Sequence, residues 1–547
     1  TASLSEKNKT PSLNFVNDYK EMFLNGAAAP GMEWQVAFVK KILPEISLDE
    51  ITAFSNKCLR GINTDILVLG PENEKTSLPD STVISSWITE IESSKIPSFE
   101  DEILPRQLPL ISRSRGKIIS SKEIKALGVT YLQLSNGINV LLKPTDFKND
   151  QIYFRGFRQG GTSLYDDSRV DNAAYAGALM SRFGLGDFNS TQLAGILNGK
   201  IVSVSSNILS RSEVVNGGSS HADLETALHI AHLQFTSSGK DTSMFKNIIS
   251  DAKESVNGRK LDPQAQFTDT ITAVTGNYAY RNQPVTAQRL DNIDVRDVLQ
   301  IYKERFSDAS GFTFTFVGSF NVDSIKPLIE IYLASLPSLK KRHRAKDLGI
   351  HIPSGQFSKT VFSGSENKAS VRLVFSGNHQ YTAQNNLRLK ALGDILQDRV
   401  LHRLRELEGG VYSASVQVAY AKIPSSRYAL NVSFGCAPDN VEHLIASVLE
   451  EMENIVQNGV SEDDILKFKA AYSKNVELAL GDNSFWLNYL SGQIENKENL
   501  MEVNAQTSIL SALNREAVAT AASKYFSQEN LIRFLLLPKY SAKPKTD

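Results

Sequence analysis

Only two cysteines, Cys58 and Cys436, occur in 547 residues. Two are too few for a disulfide framework or a cysteine-rich zinc site, and they fall in segments that read as different domains, so both are expected to be small buried apolar residues. Neither sign of charge dominates: 59 basic side chains face 60 acidic ones, for a net charge of −1. No long-range field therefore steers the chain toward nucleic acid or an anionic lipid surface. Long hydrophobic runs are missing as well. The longest, around 312–317 and 535–537, are strand-sized and fall far short of the ~20 apolar residues of a membrane-spanning helix. Residue 1 is a threonine, and no charged-then-apolar segment follows it, so a processed chain or a fragment is expected.

Familiar catalytic motifs are also absent. There is no G-x-S-x-G elbow, no Walker loop and no cysteine nucleophile with a placed histidine. None of the eight histidines stands in H-x-x-E-H, the arrangement that puts two zinc ligands and a general base on one helical face. The nearest approach is Glu225, His229 and His232, spaced i, i+4, i+7. One helix rarely completes a tetrahedral site, and these residues read as a surface helix face. His402 with Glu406 reads as a solvated pair. Gly160-Gly161-Thr162-Ser163 and Asn216-Gly217-Gly218-Ser219 lack the lysine and helix pattern of a phosphate loop, and both read as strand-to-helix turns. The basic run 340–346 reads as a solvated linker.

What the chain does have is a repeat. A helical pattern followed by an apolar strand occurs at 49–70, 296–318 and 515–537, and the matching positions Ile51, Val298 and Val518 are separated by domain-sized intervals. A polar stretch interrupted by Pro97, Pro105 and Pro109 lies between the first two. The resulting division is the tail of a preceding domain at 1–92, a linker at 93–128, a complete domain at 129–345 and another at 346–547. Within 1–92, Ser47 and Glu50 form a capping box that opens a helix, yet the only clear strand is 66–69. One strand cannot cover the helices around it, which implies an N-terminal half in the same polypeptide or a separate one.

Each complete domain reads as α+β. Asn136-Gly137, between alternating segments at 129–134 and 138–142, predicts a two-residue hairpin. Helical periodicity comes next at 171–183, 190–197, 222–235 and 242–256. The last domain repeats the plan, with strands at 369–375, 411–420 and 427–434, a helix over 387–404, and a helix capped by Ser461-Glu462-Asp463-Asp464. Arg405 then falls in the last turn of a helix ended by Gly409-Gly410, and Tyr412 on the next strand. By themselves these are a cation at a helix C-terminus and a half-buried strand tyrosine.

Their setting, R-x-x-x-x-(L/G)-G-x-Y-like, is one of several pieces that occur together. The others are Leu134-Ser135-Asn136-Gly137-Ile138-Asn139-Val140 leading to Lys143-Pro144, the Gly160-Gly161-Thr162-Ser163 turn, Gly184-Leu185-Gly186-Asp187-Phe188, and Val460-Ser461-Glu462-Asp463-Asp464. In this order and spacing the chain resembles the non-catalytic C-terminal half of the pitrilysin/insulysin family of zinc metallopeptidases. That resemblance implies repeated α+β domains, each a mainly antiparallel sheet packed with helices, together forming one half of a clamshell. It implies that Arg405 and Tyr412 bind the substrate backbone and stabilise the oxyanion opposite a zinc site on the N-terminal half. Where the family's metal helix aligns, the chain reads Ala176-Gly177-Ala178-Leu179-Met180, so it would bind no zinc or other cofactor itself and would be inactive alone. The implied partners are a catalytic half and a peptide or unfolded protein substrate, without nucleic acid or a membrane span. The alternative is a silent homologue serving as a structural or peptide-binding subunit. A periplasmic or envelope location is implied by the resemblance only.

Overall fold

The computed structural model describes residues 2–59, 65–70, 77–95, 107–109, 111 and 116–539. The chain divides into two compact units, Thr1–Arg106 and Gln107–Asp547.

In the first unit the capping box forms as its residue types dictate. The Glu50 carboxylate accepts from the Ser47 amide at 2.9 Å while Ser47 Oγ accepts from the Glu50 amide at 3.2 Å. The helix they open is Leu48–Leu59, preceded by helices Ser12–Asn25 and Met32–Ile42 and followed by Ser81–Ser93. The expected strand at 66–69 does not form: 65–70 has no regular structure. A strand is defined by the neighbour that takes its backbone bonds, and the described residues of this unit offer none. No described residue of the unit is buried, and Phe23, Trp34 and Phe54 are exposed. Cys58 is exposed too, against the expectation of burial, whereas Cys436 is buried as expected.

The second unit holds two sheets. In the first, β1 (Ile118–Ile124), β2 (Val129–Leu134), β3 (Asn139–Pro144), β4 (Ile152–Gln159), β5 (Val202–Ile208), β6 (Ser212–Ser219) and β7 (Thr313–Gly318) are ordered β1-β2-β3-β7-β4-β6-β5. In the second, β8 (Gln356–Phe362), β9 (Ala369–Asn378), β10 (Ala414–Ala421), β11 (Arg427–Cys436) and β12 (Leu531–Leu537) are ordered β10-β11-β9-β12-β8. Read from opposite ends, the two share a five-strand plan in which the last strand in sequence slots between the first two. Only β3 with β7 and β12 with β8 run parallel; every other pairing is antiparallel. The fold is thus α+β, as the patterns predict, with the mainly antiparallel sheets that the resemblance implies. The Asn136-Gly137 hairpin forms with Gly137 at φ +88°, a left-handed conformation that glycine adopts without penalty. β1, however, occupies the stretch read as linker: its alternating backbone bonds extend the hairpin at 118–124. The glycine pair Gly217-Gly218 lies inside β6 and makes no turn. A Cβ on Gly217 would sit 2.0 Å from the Phe154 ring, so glycine there makes room for a core aromatic.

Each sheet is packed on one face by its own helices. Phe154, Phe314 and Phe316 anchor the first core with helices Val170–Arg182, Leu224–Thr236 and Val295–Phe306; Phe375, Leu392 and Leu396 anchor the second with helix Ala383–Leu401. The other faces are covered reciprocally. Helix Asn483–Glu495, from the sequence of the second lobe, lays Trp486 and Leu490 against Leu141 and Val317 of the first sheet. Helix Pro263–Thr275, from the first lobe, lays Phe267, Ile271 and Val274 against Val374, Ile532 and Phe534 of the second. Polar groups pin the first of these contacts: Lys143 donates to the Leu127 carbonyl at 2.7 Å with its ammonium 3.9 Å from the Trp486 ring, and Thr145 meets Asn483 at 2.6 Å.

Candidate functional site

Helix Ala383–Leu401 is pressed tightly onto the sheet. A Cβ on Gly393 would lie 2.4 Å from Val418 of β10, so only glycine allows this approach. The helix does not end where its sequence pattern fades: it widens into a π-helical turn over His402–Leu407. The Glu408 amide donates to the Arg403 carbonyl at 3.2 Å and the Gly410 amide to the Leu404 carbonyl at 3.0 Å. Such turns insert an extra residue into the helical ladder and re-aim the chain beyond them.

Alternate residues of this segment have opposite fates. Leu404 is fully buried, Val411 is buried, and Gly410 packs so closely on Leu444 that a Cβ would come within 2.7 Å of it. Arg403 is held by three carboxylates, Glu408 at 2.6 Å, Glu450 at 3.2 Å and Glu451 at 3.7 Å. Burial pushes the Glu408 carboxyl up, but the bond from Arg403 and the charges of His443 and Arg403 outweigh it, holding the carboxyl below the ordinary range. Gly409, at φ +60°, turns the chain between these anchors.

From this fixed loop two side chains project. Arg405 is half exposed, with Glu406 at 3.2 Å as its ion pair. Tyr412 is 92% exposed. The sequence places Tyr412 on a strand, half-buried; the structure starts β10 at Ala414 and leaves Tyr412 before it, because the π turn and Gly409-Gly410 consume residues a regular helix end would have given to the strand. A tyrosine this exposed contributes little to packing. A guanidinium and a phenol on one rigid loop are hydrogen-bond donors suited to a peptide carbonyl oxygen.

The other sequence candidates are structural. His232 is buried, with Nδ1 2.8 Å from the Tyr332 carbonyl; His229 Nε2 lies 2.8 Å from the Pro109 carbonyl; and Glu225 accepts from the Tyr332 hydroxyl at 2.9 Å. Burial lowers both imidazole pKa values. The three therefore form a tyrosine-centred network on a partly buried helix, correcting the surface-face reading, and they do not fit a zinc ion. Among the described residues, no group of three or more His, Cys, Asp or Glu is placed to hold a metal. In helix Val170–Arg182 the small residues are for packing: Ala176 is fully buried and a Cβ on Gly177 would lie 2.8 Å from Asn207 Oδ1 of β5. Sequence reasoning missed a buried triad in which Glu213 bridges Arg158 at 2.9 Å and Arg305 at 2.7 Å, with its Oε1 also accepting from the Gly161 amide at 2.8 Å. Its only sequence signal is a charged residue inside an apolar strand, Glu213 beside Val214-Val215.

Comparison with known proteins finds similarity to a group of peptidases. Residues 292–472 match the Peptidase M16 inactive domain. The chain is 25% identical over 522 residues to a zinc protease PQQL-like of Arabidopsis thaliana, an alignment that takes in 92% of this chain and 52% of that protein. It is 21% identical over 464 residues to the probable zinc protease PqqL of Haemophilus influenzae, taking in 84% and 49%. The chain thus spans about half the length of these relatives. Among solved structures, the periplasmic protease PqqL from Escherichia coli matches with a TM-score of 0.72 at 17% identity over 98% of this chain and 59% of that one. A Peptidase M16 inactive domain from Pseudomonas fluorescens matches with a TM-score of 0.63 at 13% identity over 76% and 100%. These structural matches report the fold, and the sequence matches show that the chain is similar to zinc proteases and, over residues 292–472, to the inactive domain of Peptidase M16.

Proposed function

We propose that the chain is the non-catalytic half of a zinc-dependent endopeptidase, closing over peptide substrates opposite a catalytic half that supplies the zinc. The observation that carries this reading is the Arg405–Tyr412 loop, where the backbone is anchored by Leu404, Arg403 and Gly410 while two donor side chains are left projecting. Arg405 would donate its fork to the substrate backbone, and the Tyr412 hydroxyl would donate to the carbonyl oxygen as negative charge develops on it. Two zinc-protease relatives of about twice the matched length support a paired catalytic half. So do the exposed apolar residues of the first unit's helices, which have no core of their own among the described residues. A periplasmic or envelope location is supported by the structural relative named a periplasmic protease.

The test is kinetic. In the assembled peptidase, Arg405→Ala and Tyr412→Phe each lower kcat, while zinc content and melting temperature stay at wild type. Unchanged kcat/KM in both would favour the alternative, a silent structural or peptide-binding subunit.

A further inference from the structure

Beside the second sheet, away from the loop that carries Arg405, is a pocket of about 350 Å³. Tyr381, Tyr420, Tyr472 and Tyr489 line it, brought together from the end of β9, from β10 and from two later helices, Glu462–Leu480 and Asn483–Glu495. Tyr381 and Tyr420 meet edge to face with ring centroids 5.9 Å apart. Glu498 and Glu502 supply two carboxylates to the same wall. The other charge in the lining, Lys390, is spent on Asp394, 2.7 Å from both of its oxygens. Burial, followed by the charges of Glu498, Tyr420 and Glu502, pushes the Tyr381 hydroxyl up to about 12, so the pocket's tyrosine is a neutral ring in a negative field. A negative field and electron-rich ring faces both favour a cation.

Two further observations point to a ligand with N–H groups. Gln506, in the lining, has its Oε1 enclosed and without a hydrogen-bond partner among the described residues, an acceptor waiting for a donor. The chain itself shows which donor two of the lining residues accept: Lys422, at the pocket's margin, has its ammonium 3.3 Å from Glu498 and 5.9 Å from the Tyr381 ring centroid. Lys422 is on the segment just after β10 and is about one-third exposed, so its hold is one that a second ammonium can share or displace.

We propose that this pocket binds a primary alkylammonium group, the side chain of a lysine in a peptide. That the carrier is a peptide rests on the peptidase reading; the ammonium chemistry does not. A lysine-containing peptide with acetylated amino terminus and amidated carboxyl terminus, titrated into the purified chain and followed calorimetrically, binds saturably. The same peptide with acetyl-lysine does not, and a lysine-free peptide with a free amino terminus separates an N-terminal ammonium from a side-chain one. Glu498→Gln and Tyr381→Leu each weaken the lysine peptide about tenfold, the scale of one lost charge contact or cation–π contact. Lys422→Met, which removes the resident ammonium, tightens it, a change that a merely structural pocket would not produce. The titration reads binding to the purified chain and no turnover, so a failed peptidase reading and a failed pocket are distinguishable. The proposal is overturned by no saturable binding to the wild-type chain, by equal binding of the acetyl-lysine peptide, or by a Glu498→Gln chain that melts like wild type and binds as well. Should Tyr381→Leu fail to fold, Glu498→Gln, which keeps the side-chain volume, still decides.

Discussion

The segments that come after the first long helix of each lobe occupy the same place in the shared strand plan and do opposite things. After helix Val170–Arg182 the chain turns inward: Phe183 is fully buried, Leu185 is buried, and the Leu185 amide donates to the Phe188 carbonyl at 2.8 Å to close a tight turn on Gly184 at φ +77°. After helix Ala383–Leu401 the chain turns outward, with the π turn at its root and Tyr412 at its tip. Both helices lie against their sheets through a glycine, Gly177 on Asn207 and Gly393 on Val418. The framework is thus held in common, and one lobe devotes the position to its core while the other leaves the Arg405 and Tyr412 side chains exposed. Packing fixes the scaffold in both, and a single helical turn sets the difference.

The lobes should also break differently. The largest effect expected is in the first, where Glu213→Ala leaves the buried Arg158 and Arg305 without their shared carboxylate; unfolding in denaturant should show a loss of about 3–5 kcal/mol. Breaking the corresponding outward loop should cost activity instead. Arg405→Ala or Tyr412→Phe should reduce kcat of the assembled peptidase by about 10²–10³ with melting unchanged. Smaller than both is the effect at the shared helix–sheet contact: Gly177→Ala and Gly393→Ala, substitutions that ordinarily favour a helix, should each destabilise by about 1–3 kcal/mol here, read from thermal unfolding. If either stabilises, the helices can lift off their sheets and the packing argument fails.

The smallest effect is with pH, and it draws on both lobes. Burial lowers the pKa of His229, His232 and His343 in the first and of His379 in the second. The unfolded chain then takes up protons at higher pH than the folded one, so unfolding is favoured as pH falls below about 6.5, and stability stops falling from this source once the folded-state values are passed. His379→Gln, which keeps a donor for Asn386 but gives up the bond to the Tyr525 hydroxyl, should flatten part of that slope, read from melting across the pH range.

Much of this fold is legible in the sequence. The Asn136-Gly137 hairpin, the helices near 171–183 and 222–235 and the capping box at Ser461 all depend on local chemistry, and they form within a few residues of where the patterns put them. What local chemistry cannot supply is a neighbour. Residues 66–69 look like a strand and have nothing to pair with; 118–124 look like polar linker and are recruited by the edge of β2. Arg405 and Tyr412 are visible by resemblance, but the π turn that aims them is not, because Leu401 to Leu407 reads as ordinary helix and the widening depends on Leu404 and Gly410 meeting the core. The tyrosine pocket is not legible at all, since its walls are drawn from positions more than a hundred residues apart in sequence.

The reciprocal covering of the two sheets has a consequence for how the protein is made. Helix Pro263–Thr275 leaves the ribosome long before β12, the strand that carries Ile532 and Phe534 to meet it. At about 5–20 residues per second, its apolar side waits for an interval on the order of ten seconds or more with the second sheet still open at its centre. Until then Phe267, Ile271 and Val274 lack the Ile532 and Phe534 contacts that cover them in the finished fold.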